Sequence, residues 1–159
     1  MTTRTARTQL SRAASSAQWI DRGLLMMRIA IGLVFVMHGG QKLFVFGHAG
    51  VAGGMAALGL PLPGLSAALI TAVELGGGVA LLAGAFTRTA AFLIAGAMAV
   101  ATVSAHLAGG FFLPSGFEYT LTLMLTSLAM LMTGPGGYSV DSAWAGRRQT
   151  EAPAYRIAA

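Results

Sequence analysis

Apolar residues fall into four long stretches separated by short turn-rich segments. The stretches run from about Leu24 to Phe46, Leu65 to Phe86, Ala90 to Leu107 and Tyr119 to Thr133. Each approaches the roughly 20 residues that an α-helix needs to cross about 30 Å of hydrocarbon. The fourth is the shortest, and a longer reading starts it near Phe111. None alternates with period two, which argues against a β-barrel. The pattern predicts an all-α chain: a polytopic membrane four-helix bundle running up-down-up-down through short connections.

Turn residues punctuate the stretches. Gly53-Gly54 and the run Leu60-Pro61-Leu62-Pro63-Gly64 lie in the segment 47–64, and Gly109-Gly110 and Pro114-Ser115-Gly116 lie in 108–117. Gly-Pro-Gly-Gly at 134–137 closes the fourth stretch. Small residues at helical spacing, Gly76, Ala80 and Gly84 on the second stretch and Ala91, Ala95 and Ala99 on the third, predict close helix contacts. Gly76-Gly77-Gly78 falls inside a helix and not after a strand, so it makes no nucleotide fingerprint. Three segments result: a basic N-terminal segment 1–20, disordered or surface-lying; a membrane domain 21–135; and a cytoplasmic tail 136–159.

Composition supports the membrane class. Of the 159 residues, 55% are hydrophobic and 9% charged, whereas a soluble domain carries about a quarter charged residues. A soluble enzyme domain is therefore excluded. The first apolar run begins past residue 20 and lacks a small-residue exit, so it reads as a retained span and not a cleaved leader. The absence of cysteine excludes disulfides, thiolate-held iron–sulfur clusters and covalently attached haem. No covalent cofactor is expected.

The net charge of +5 reports orientation and not nucleic acid. Arg4, Arg7, Arg12, Arg22 and Arg28 precede or open the first span, Arg88 lies between the second and third, and Arg147, Arg148 and Arg156 follow the fourth. The segments 47–64 and 108–117 hold no Lys or Arg. Both termini are expected in the cytoplasm, in a multi-pass protein of a bacterial inner membrane whose tail arginines touch anionic lipid. Lys42, at the outer end of span one, is the exception.

Function is sought among polar residues inside apolar spans, because an ionisable group there is costly. These are Arg28, His38, Gln41, Lys42, Glu74, His106 and Glu118. His38, Gln41 and Lys42 are three or four apart and share a helix face. Rise per residue places His38, Lys42, His106 and Glu118 at one outer level, with Glu74 about 15 Å down the second span. Simple roles compete with chemistry for most of them. Lys42 and Arg28 serve as interfacial anchors, His106 as a helix-end residue and Glu118 as a partner of a helix N-terminus. Glu74 admits no such role: a mid-membrane carboxyl must be protonated, paired or exposed to a cavity. Arg28 is its first expected partner and Lys42 its second.

Arg28-x-x-x-Gly32, His38-Gly39-x-x-Lys42-Leu43-Phe44, Glu74-x-x-Gly77-Gly78 and Gly84 resemble the DoxX family of small four-span membrane proteins. The resemblance covers about residues 20–135, and His106 and Glu118 fall where that family also carries polar residues. It implies similarity to the membrane subunit of archaeal thiosulfate:quinone oxidoreductase and a place in membrane-associated oxidoreductase complexes.

Two classes of function stand open. In the first, the chain is a subunit of a quinone-linked oxidoreductase with an outer-leaflet pocket. There His38, Gln41, Lys42, His106 and Arg28 bind ligand, and Glu74 and Glu118 relay protons. In the second it is a transporter or scaffold that binds a proton, metal or small anion and anchors a soluble partner. A bis-histidine haem b on His38 and His106 is a disfavoured variant of the first. Nine methionines read as apolar filler and not copper ligands, and no protein-held metal is expected. A protein partner in a membrane complex is expected, with self-association as a further option.

Overall fold

A computed structural model describes residues 2–151, with side chains for residues 15–147. Helix α1 spans Thr2–Gln41 and passes into a π-helical turn, Lys42–Phe46. Helices α2 (Gly47–Ala57), α3 (Pro63–Ala83) and α4 (Thr87–Ala101) follow. A second π turn (Thr102–His106) and a 3-10 turn (Leu107–Gly109) extend α4. Helices α5 (Glu118–Thr133) and α6 (Val140–Glu151) complete the chain, which contains no strand among the described residues. Among the described residues, two segments are long and apolar enough to cross a membrane by themselves, Pro63–Ala83 and Thr87–Gly109, each with mean hydropathy 1.8.

The structure changes the expected plan in two places. The segment 47–64, read as a turn-rich loop, carries the eleven-residue helix α2. Gly50, Gly53 and Gly54 lower the intrinsic helix preference of that stretch, and packing of α2 against α3 overrides it. At the other end of the chain, residues at the start of the expected tail pack back against the start of α4. The side chain of Asp141 accepts hydrogen bonds from the amides of Phe86 (2.8 Å) and Thr87 (2.9 Å), and Trp144 packs edge-on against Phe86. The chain from Arg148 onward lies outside the described side chains, and residues 152–159 lie outside the described structure altogether.

Local signals explain the helix ends. Pro63 opens α3, where its fixed φ suits the first turn and its missing N–H costs nothing. Gly84, at φ 68°, closes α3, and the Ala85 amide bonds back to the Ala80 carbonyl at 2.9 Å. Asp141 then supplies across space the oxygen acceptor that the N-terminus of α4 lacks locally.

Helix α1 packs antiparallel on α3 through glycine. A Cβ on Gly39 would fall 2.7 Å from the Leu75 Cα, and one on Gly78 would fall 2.7 Å from the Val36 amide nitrogen. The expected contact glycine Gly76 instead faces open space, while Gly77 meets Ile94 on α4. On α4 the expected row is confirmed at Ala91 and Ala95, which are buried. The core joins Ile31 and Phe35 of α1, Leu81 of α3, Ile94 and Met98 of α4 and Met130 of α5. A cavity remains beside Lys42 and Glu74.

Candidate functional site

The buried carboxylate of α3 finds its partner on the first π turn. Lys42 Nζ lies 2.5 Å from Glu74 Oε2, with side chains 18% and 5% exposed. Arg28, the first expected partner, is elsewhere: it is buried near the α3–α4 connection and donates from Nη2 to the Tyr138 carbonyl. The glycine at position 84 leaves room for that guanidinium, which a Cβ there would overlap. Lys42 begins a π turn, where the helix is locally wider, and its four-carbon stem carries the ammonium across to α3. The anchor role considered for Lys42 is thereby replaced by an ion pair.

The pair lies in the wall of a cavity of about 580 Å³. Val73 of α3 and Ala97 and Ala101 of α4 line it, as do Leu58, Leu60 and Pro61 of the α2–α3 connection. Ser66 and Ser104 add hydroxyls, each already donating to a backbone carbonyl (Pro61 at 2.7 Å, Val100 at 2.8 Å) and each retaining acceptor capacity. Lys42 also borders a smaller cavity of about 330 Å³ that holds His48 and Thr71.

The other sequence candidates do not converge there. His38 and Gln41 share an exposed groove of about 640 Å³ with Phe44 and Val45, which Lys42 does not line. Four-residue spacing put His38 and Lys42 on one face, but the onset of the π turn and the reach of the lysine separate their surroundings. His106 and Glu118 brace the 108–117 segment: His106 Nδ1 lies 3.3 Å from the Ser115 carbonyl, and Glu118 accepts the Leu113 amide at 2.8 Å. The single outer-level cluster therefore resolves into a buried pair, an exposed groove and a loop brace.

Sequence reasoning missed Asp141, Ser66, Ser104 and His48. Asp141 carried a usable signal, as one of only five acidic residues in the chain. Burial pushes its carboxyl up, but the Thr87 and Phe86 amides and the nearby Arg28 charge outweigh this and hold it below the ordinary value of 3.8.

Every residue lining the Lys42–Glu74 cavity falls between positions 42 and 105, and the model of the DoxX family matches residues 23–107. The chain belongs to the DoxX family. It is 35% identical over 122 residues to Inner membrane protein YqjF of Escherichia coli (strain K12), covering 76% of this chain and 91% of that protein. It is 31% identical over 124 residues to Inner membrane protein YphA of the same strain, covering 74% and 87%. To Putative oxidoreductase CatD of Bacillus subtilis (strain 168) it is 32% identical over 120 residues, covering 75% and 84%. No solved structure matches the chain. DoxX proteins are membrane proteins, and the lipid bilayer is this chain's setting. The matched segment contains Arg28, His38, Lys42, Glu74 and His106.

Proposed function

We propose that this DoxX protein is the membrane subunit of a quinone-linked oxidoreductase complex and that the Lys42–Glu74 cavity is its quinone pocket. The observation that carries the reading is an apolar cavity whose wall holds one compact ion pair. In this reading α3 and the extended α4 cross the bilayer together with the second half of α1 and with α5, giving a four-helix bundle. Both termini are cytoplasmic, and Arg28 and Arg88 lie at the inner end.

The residues fit the group. An ammonium has three donors, and Glu74 occupies one, so Lys42 Nζ keeps donors for a carbonyl oxygen. Ser66 and Ser104 offer further polar contacts at the cavity margin. A bound quinone supplies carbonyl oxygens that take up electrons and protons. Lys42 would orient such a carbonyl, and the Glu74 carboxylate beside it would take up a proton that the head releases. Val73, Ala97 and Ala101 make the wall beside the pair apolar. Electrons come from a partner protein, and the oxidoreductase name carried by CatD supports that class.

The geometry favours this reading over a transporter or scaffold for small anions or metals. The pair is already neutral, so an anion on Lys42 has to displace the Glu74 carboxylate at 2.5 Å. An apolar wall likewise gives a hydrated ion little in exchange for its water. The experiment is purification in mild detergent followed by solvent extraction and mass analysis of bound small molecules and proteins. A quinone together with a redox enzyme supports the proposal. A preparation with neither, taken from membranes rich in quinone, contradicts it.

A further inference from the structure

The Lys42–Glu74 cavity is not closed on its α3–α4 side. Leu69 of α3 and Leu93, Gly96 and Val100 of α4 form that side, and the three larger residues are exposed on the outer surface of the protein. Gly96 makes the break: a Cβ at this position would meet no atom within 4 Å. One cavity is thus lined both by the ion pair and by side chains exposed on the helix surface. Gly96 also stands near the midpoint of the 23-residue apolar segment Thr87–Gly109. At that depth the opening faces hydrocarbon, where only a membrane-dissolved molecule arrives.

We infer that the cavity is loaded sideways from the lipid through a window at Gly96. Its ligand is a neutral carbonyl compound with an apolar tail, the head on Lys42 and the tail against Leu69, Leu93 and Val100. The inference rests on the quinone reading of the site and adds the route and the requirement for a tail. Neutrality of the head follows from the pair, since Lys42 offers donors but no uncompensated charge. The tail follows from the window, whose side chains are aliphatic and would otherwise meet lipid alone.

The test uses the full chain in lipid nanodiscs and two benzoquinones with the same head, one bearing a decyl tail and one without it. Affinities are corrected for each compound's measured partition into the same discs lacking protein. The tailed compound is expected to bind the native protein more tightly after that correction. Gly96→Leu fills the window and is expected to weaken tailed binding about tenfold or more, the scale set by losing a few buried methylene contacts. The tailless head is expected to change much less. Unchanged tailed binding in a folded Gly96→Leu protein overturns the window, and if Lys42→Ala still abolishes binding the quinone pocket survives. Failure of both compounds to bind the native protein overturns window and pocket together. Because Gly96→Leu depends on correct folding, a tailed quinone with a photoreactive group on its tail gives a mutation-free check. Crosslinks on peptides holding Leu69, Leu93 or Val100 support the window, and crosslinks confined to α1 and α2 overturn it.

Discussion

At Glu74 a single oxygen decides which residues act together. The carboxylate is bound by Lys42 and not by Arg28, whose guanidinium is committed to the Tyr138 carbonyl. Glu74→Gln strands the ammonium, and breaking a buried pair costs about 3–5 kcal/mol, with the lower end expected because Lys42 keeps 18% exposure. Lys42→Gln added to Glu74→Gln is expected to recover part of the lost melting temperature in detergent. Arg28→Gln added to Glu74→Gln is expected to lower it further, by freeing the Tyr138 carbonyl. Rescue by Arg28→Gln would show that the pairing is misassigned. The need of Glu74 for a partner is legible from its place mid-span. The identity of that partner is not, because it depends on a π turn that no residue pattern announces.

Helix contacts were readable in kind and only partly in position. Small residues on α3 and α4 signalled close packing, and of the row Gly76, Ala80 and Gly84 only Gly76 faces open space, while Ala80 packs on the core and Gly84 against Arg28. Gly77 and Gly78 make the contacts, since the packed face is chosen by the neighbouring helices as well as by small-residue spacing. Gly39→Ala is expected to push α1 off α3, because its Cβ would meet Leu75 backbone, whereas Gly76→Ala meets nothing. Thermal melts are expected to show a large loss for Gly39→Ala and a gain of up to about 1 kcal/mol for Gly76→Ala, from helix propensity alone. Equal behaviour of the two variants would contradict the α1–α3 register. Asp141 makes a second claim at this scale. Its folded value is depressed below 3.8, so its stabilisation is complete above that value and is lost as pH falls through the lower folded one. Asp141→Asn is therefore expected to flatten the acid limb of the stability curve below about pH 4. At neutral pH it is expected to cost about 1 kcal/mol through the weakened cap of α4. An unchanged acid limb would remove Asp141 as the cap.

At the scale of the molecule, hydrophobic runs made the helical class readable, and the family match agrees with the membrane setting. Helix α2 and the docking of residues 137–144 were hidden, the first by its glycines and the second because Asp141 acts on residues 54 and 55 positions earlier. The proposed topology puts the segments 47–64 and 108–117 outside and both termini inside. Fusions of a periplasm-active reporter to each segment are expected to be active only at 47–64 and 108–117. Activity of a cytoplasm-only reporter in 47–64 would contradict this orientation. The central claim is that the Lys42–Glu74 cavity binds a quinone head, and equilibrium titration of the purified protein with a tailed benzoquinone tests it most directly. The account predicts saturable binding that Lys42→Ala weakens by at least about tenfold, a loss of some 1.4 kcal/mol or more, while His38→Ala, in the separate groove, leaves it unchanged. Equal affinity in native and Lys42→Ala proteins, or loss on His38→Ala alone, would contradict it.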